Sequence, residues 1–151
     1  MATKPHIMVV EARFYDDIAD ELARGALAAL EAGGATWERF AVPGAFEIPA
    51  AIRMGIARGG FDGYLALGCV IRGETSHYDY VCGESARALQ DIAVAHQVPL
   101  GYGILTVENG EQAWERARVD RKNKGGDVAR ACLAMLDLRK RLASPNAGGG
   151  R

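Results

Sequence analysis

The sequence predicts a three-layer α/β sandwich built on a four-stranded parallel sheet. Two observations carry that expectation. The segment "YLALGCVI" at 64–71 is an almost continuous apolar run. A strand of that kind is buried on both faces, which calls for a parallel sheet with helices on each side. Strand-like runs also alternate with segments of helical periodicity, in the order βαβαβαβ followed by two helices. Right-handed crossovers stack such a chain into three layers.

Each element has its own signal. "IMVVEA", Ile7 to Ala12, is short and β-branched and reads as a buried strand. From Asp17 to Glu31 the period changes: Ile18, Leu22, Ala26, Ala29 and Leu30 recur at helical spacing, with acids in the first turn. "AGG" at 32–34 stops that helix. "TWERFAV" at 36–42 alternates and fits a strand near an edge. "PGAFEIP" at 43–49 is a turn leading into a helix through Arg58, with Pro49 in the first turn, where proline is tolerated. After the 64–71 strand, a long helix is expected from about Tyr80 to His96, with Val81, Leu89, Ile92 and Ala93 inward. "LGYGILTV" at 100–107 is the fourth strand, and "ENGEQAWERA" at 108–117 a short helix. A basic link at 118–126 precedes a last helix from about Asp127 to Leu142, which would bury Val128, Ala131, Cys132, Met135 and Leu136. A frayed tail is expected at 143–151. The 151 residues suit one domain over the whole chain.

Bulk properties narrow the function. A formal net charge of -1 makes no electrostatic case for a nucleic-acid binder or a polybasic membrane anchor. The N-terminal apolar run is broken by Glu11, making a poor signal peptide and far too short a span for a bilayer. Three cysteines without a CxxC pair argue against a disulfide framework or a zinc site and fit a reducing cytoplasm. No two histidines have metal-ligand spacing.

Ligands of open parallel sheets sit outside the carboxyl ends of the strands. The four strand exits here are "EARFYDD", "VPGAFE", "IRGETSH" and "VENGEQ". In the third, Gly73 allows close approach and Thr75 offers a hydroxyl beside unpaired helix N–H groups, a plausible phosphate cradle. The loop lacks the GxxxxGK[ST] and GxGxxG patterns, and from it alone a helix cap at Thr75 or Ser76 is the stronger reading. His77 suits a general acid or base, and equally a surface histidine at a helix start. His96 reads as structural, and His6 has no evident partner. Phe14 could stack on a flat ring or plug the core. Glu47 could bind a polar ligand or simply match the helix dipole. Arg116 and Lys124 could neutralise a phosphate. Trp37, Trp114 and Met135 read as structural.

The segments "ARFYDDIADELARGA", "VPGAFEIPAA", "GCVIRGETSHYDYV", "GILTVENGEQAWERA" and "NKGGDVARACLAM" occur in that order. Together they resemble the 6,7-dimethyl-8-ribityllumazine synthase family of riboflavin biosynthesis, from about Ile7 to Leu142. The resemblance implies a flavodoxin-like sandwich. It implies condensation of 5-amino-6-(D-ribitylamino)uracil with 3,4-dihydroxy-2-butanone 4-phosphate, with no metal and no redox cofactor. By the resemblance Phe14 stacks on the pyrimidine, while Ala45, Phe46 and Glu47 hold the uracil edge and ribityl chain. Val70 and Ile71 form the wall, and Gly73, Glu74, Thr75 and Arg116 bind the phosphate. His77 moves protons, and Lys124 with Asp127 forms a charged pair near the reacting atoms. Tyr102 is contributed by the neighbouring subunit. The Glu74 side chain is expected to turn away from the phosphate or towards Arg116.

The resemblance further implies a homopentamer with sites between adjacent subunits, which in some members stacks to a decamer or packs into a 60-mer. Many shell-forming members carry "GTKAGNKG" before the last helix. Here Arg118 and Lys122 replace both glycines, in "RVDRKNKG". A turn needing positive φ would resist that change, and crowded cations would repel, so an isolated pentamer is expected. The rival reading is a lumazine- or flavin-binding paralogue with little synthase activity.

Overall fold

The computed structural model describes residues 3–144. The chain forms β1 (His6–Ala12), α1 (Asp16–Ala32), β2 (Thr36–Val42), a 3-10 turn (Ala45–Glu47), α2 (Ile48–Arg58), β3 (Gly63–Ile71), α3 (His77–His96), β4 (Leu100–Val107), α4 (Gly110–Ala117) and α5 (Lys124–Ala143). The four strands pair in parallel in the order β2-β1-β3-β4. The expected α/β class and flavodoxin-like parallel sheet are therefore observed, with β2 at an edge as its alternation required. The frayed tail beyond Ser144 lies outside the described residues.

The pleat sorts the apolar side chains into two cores. Ile7 and Val9 of β1 with Leu65 and Leu67 of β3 face Ala23, Ala26 and Leu30 of α1 and Ala129 and Cys132 of α5. Towards the carboxyl ends, Cys69, Leu105 and Val107 continue this layer against α1 and α4. On the other face, Met8, Val10, Tyr64, Ala66 and Ile104 meet Ile48 and Ile52 of α2 and Val81 and Leu89 of α3. Both central strands are thus covered twice, as the unbroken apolar run of β3 required.

Several boundaries and faces differ from expectation. The third helix starts at His77 rather than Tyr80. The last starts at Lys124 rather than Asp127, because Asn123 takes the left-handed conformation (φ 46) and its Oδ1 accepts a bond from the Gly126 N–H at 3.2 Å. The "GG" that reads as a break is a packing requirement. A Cβ on Gly125 would collide with the Leu22 carbonyl of α1, and one on Gly25 with the Asn123 side chain. The inward stripe of α5 runs through Gly125, Ala129, Cys132 and Leu136, leaving Ala131 exposed and Met135 50% exposed. Along α3 the buried positions are Val81, Ser85 and Leu89, and Ile92 and Ala93 are only half-buried. His6 does have partners: Nδ1 lies 2.7 Å from Thr36 Oγ1 and Nε2 lies 2.9 Å from Glu38 Oε2. The positive-φ argument at the basic link fails. Arg118 has φ -57, and among the described non-glycine residues only Gln97 and Asn123 have positive φ.

Because α1 and α5 approach backbone to backbone at Gly125, Gly125→Ala is expected to cost roughly 1–3 kcal/mol of stability. A urea midpoint measured at fixed protein concentration checks this; an unchanged midpoint would mean that the two helices are free to move apart.

Candidate active site

The strand order reverses between β1 and β3, since the chain runs outward from β1 to β2 and then returns past β1. The carboxyl end of such a switch point is the natural crevice of an open parallel sheet. A cavity of about 370 Å³ opens there. The exit of β1 supplies Phe14 and Tyr15, the exit of β2 supplies Pro43 to Glu47, and the end of β3 supplies Cys69, Val70 and Ile71. His77 and Val81 of α3 close the remaining wall.

Each wall follows from local sequence. Phe14 is 74% exposed, and its ring meets Tyr15 edge-on at 4.9 Å. The core-plug alternative for Phe14 therefore does not hold. Ala45 is buried under the 3-10 turn, while Phe46 and Glu47 stay exposed. The Glu47 carboxylate lies over Gly44, whose missing side chain leaves room for it: a Cβ there would come within 3.3 Å of Oε1. Val70 and Ile71 are half-buried where β3 leaves the core. Burial pushes the Cys69 thiol up to about 11, so the cavity floor is uncharged near neutrality.

The loop from Gly73 to Ser76 is exposed. The Thr75 hydroxyl accepts a bond from the His77 N–H at 3.3 Å, and Ser76 makes no side-chain cap. The earlier start of α3 puts its unpaired N–H groups directly after this loop. Gly73 has open space where a side chain would stand. Glu74 is exposed and forms no ion pair with Arg116 within the chain, so the expected turn towards Arg116 is not seen there. Arg72 anchors the loop instead: its Nε donates to Glu108 Oε1 at 2.9 Å and its guanidinium lies over the Tyr78 ring at 4.2 Å.

Gly73, Glu74 and Thr75 do not line the cavity, and neither do Tyr102, Arg116, Lys124 and Asp127. Arg116 is half-buried on α4, donating to the Gln112 carbonyl at 3.1 Å. Lys124 lies 3.9 Å from Asp127, whose shorter partner is Arg130 at 2.7 Å. Tyr102 stands on edge strand β4, where burial raises its phenol above the usual value.

The 4–140 segment matches the family described as 6,7-dimethyl-8-ribityllumazine synthase. The chain belongs to this family. It is 58% identical to the 6,7-dimethyl-8-ribityllumazine synthase of Agrobacterium fabrum, over 93% of this chain and 98% of that protein. It is 58% identical to 6,7-dimethyl-8-ribityllumazine synthase 1 of Rhizobium meliloti, over 92% of this chain and 94% of that one. The corresponding protein of Methylorubrum extorquens is 60% identical over 89% of this chain and 80% of its own length.

Sequence reasoning missed a charged cluster at the exits of β1 and β2. Glu11, next to the last residue of β1, is only 3% exposed, and Arg39 of β2 grips both of its oxygens, at 2.6 and 3.0 Å. Arg13 adds a third bond at 2.9 Å. Hydrogen bonds, to Asp20 first, raise the Arg13 guanidinium above its ordinary value, and the bond to Glu11 does the same for Arg39. An acid closing an apolar strand was the available signal.

The neutral, buried Cys69 thiol is expected to resist iodoacetamide at about pH 8 in the folded chain and to react after unfolding in urea. Peptide mass spectrometry checks this, and equal labelling in both states would contradict the assigned environment.

Proposed function

We propose that this chain condenses 5-amino-6-(D-ribitylamino)uracil with 3,4-dihydroxy-2-butanone 4-phosphate to give 6,7-dimethyl-8-ribityllumazine, phosphate and water. The observation that carries the reading is the cavity at the switch point. Phe14, Ala45 to Glu47, Val70, Ile71 and His77 converge on it from separate elements of a chain of this family. The enzyme is a transferase acting as one domain.

Phe14 and the Val70–Ile71 wall sandwich the flat pyrimidine, and Glu47 accepts bonds from the ribityl hydroxyls. The amine adds to the ketone, and the carbinolamine loses water to become an imine. A proton then leaves the adjacent carbon as phosphate departs, and ring closure expels a second water. Additions and eliminations balance without an oxidant, so no redox cofactor is required. His77, at the cavity edge, carries the protons. Gly73, Glu74 through its backbone N–H, and Thr75 cradle the phosphate. Arg116 neutralises it, and Lys124 with Asp127 supports the reacting atoms.

The working unit is a homopentamer whose sites lie between adjacent subunits. One subunit supplies the cavity, and its neighbour supplies Tyr102 and the Arg116 side. In support, Tyr102, Arg116, Lys124 and Asp127 stay off the cavity of their own chain. Charge crowding at Arg118, Arg121, Lys122 and Lys124 favours an isolated pentamer over a decamer or 60-mer, now without help from the backbone. The three free cysteines suit the cytoplasm. No helix of the described residues is long and apolar enough to cross a membrane.

Mixing both substrates should produce lumazine absorbance and fluorescence; bound flavin or lumazine without turnover would favour the paralogue reading. His77→Ala should lower the turnover number within the range of about 10²–10⁴-fold without abolishing activity. An unchanged turnover number would remove its proton-transfer role. Arg116→Ala should raise the Michaelis constant of the phosphorylated substrate about tenfold or more. Sedimentation should show five chains, and a particle of ten or sixty would overturn the isolated pentamer.

A further inference from the structure

Phe14 poses a mechanical problem. Its ring is 74% exposed, so core packing does not hold it, and among the described residues the ring it meets is Tyr15. An aromatic that is free to swing must be ordered when a ligand stacks on it, which reduces affinity. The residue before it is held unusually tightly. The Arg13 N–H donates to the Val42 carbonyl at 3.0 Å, joining the exits of β1 and β2. Its side chain donates from three nitrogens to three carboxylates: Glu11 at 2.9 Å, Asp16 at 3.0 Å and Asp20 at 2.6 Å. A planar guanidinium offers donors in a fixed fork, so three simultaneous partners leave it little freedom. The fork joins the end of β1 to the first turn of α1, on either side of Phe14. Arg13 itself does not line the cavity.

We propose that Arg13 is a positioning residue: by clamping β1 to α1 it holds Phe14 in the orientation that stacks on the pyrimidine substrate. This rests on the functional reading above. Arg13 touches neither substrate, so its effect belongs to the pyrimidine and not to the phosphorylated partner.

The test uses Arg13→Gln and, separately, the double variant Asp16→Asn with Asp20→Asn. In Arg13→Gln the Arg39 fork still pairs buried Glu11. Asp16 and Asp20 are 71% and 64% exposed, so the double variant reaches the same clamp through surface positions. Each is made with Phe14 intact and with Phe14→Ala. With Phe14 intact, the Michaelis constant of the pyrimidine should rise about threefold to tenfold, the scale of an aromatic stacking contact. That of the phosphorylated substrate should stay put, and in the Phe14→Ala background the same changes should have no further effect. An unmoved pyrimidine constant, or an equal rise without the Phe14 ring, overturns the proposal. A second readout is independent of turnover. In protein labelled with 4-fluorophenylalanine, the Phe14 ¹⁹F resonance, assigned by its loss in Phe14→Leu, should move in Arg13→Gln towards its position in the unfolded chain. If the wild-type chain forms no lumazine, the functional reading fails and this resonance alone decides; an unmoved line overturns the positioning role.

Discussion

The Glu11 carboxylate is buried near the carboxyl end of β1, only 3% exposed. Taking such an ion out of water costs several kcal/mol, and only well-aligned partners offset that. Glu11 receives three charge-assisted bonds from two guanidiniums, and both of its oxygens are used. Those guanidiniums come from β2 and from the exit of β1, and Arg13 reaches on to α1. Apolar packing is non-directional and would tolerate small slips between these elements. A network centred on one buried carboxylate does not, because each displaced donor leaves Glu11 short of a partner. The exits of β1 and β2 are therefore tied to each other and to the start of α1.

Elsewhere, shape does the corresponding work. Helices α1 and α5 approach so closely that glycines are needed at the contact, and Asn123 fills the corner they leave. On the opposite layer α3 is anchored by few side chains, chiefly Val81, Ser85 and Leu89. Its start depends on the Thr75 hydroxyl and on the ties Arg72 makes to Glu108 and Tyr78. The cavity thus has one wall welded to the core, carrying Phe14 and Ala45, and one wall held by surface contacts, carrying His77.

What the sequence discloses follows from the range of the forces involved. The bounds of β2 and β4 coincide with their apolar patterns, because a two-residue period is a local consequence of facing a core. The start of α5 was hidden because "GG" signals a break locally, whereas here it answers to a backbone from another helix. Met135 looked like core because helical spacing fixes an angle but not how far a neighbouring layer extends. Glu11 gave one local sign, a charge closing an apolar strand. Its partner Arg39 lies 28 residues away, and no pattern joins them. At the site, the loop residues alone left each functional role beside an ordinary structural one, such as a cap at Thr75 or a dipole match at Glu47. Their assembly into one cavity came through the family resemblance, and the substitutions at Arg118 and Lys122 carry no backbone argument because φ is not positive at either.

An apolar cavity rimmed by exposed rings is incomplete as a reaction vessel. Covering Phe14 with a flat ring recovers roughly 25 cal/mol for each Å² of apolar surface removed from water. The phosphate presents the harder problem. In water a cation and an anion at contact are worth about 1 kcal/mol, and several times more when solvent is excluded. Arg116 and Lys124 stand on the solvent side of their own chain, away from the cavity they are proposed to serve. In the proposed pentamer a neighbour's cations would close over the open side, excluding water and raising the value of every charge contact there. The interface that builds the ring would then also supply the dielectric environment the chemistry needs. On the proposed reading, a single chain would present the cavity but lack the means to hold the phosphate.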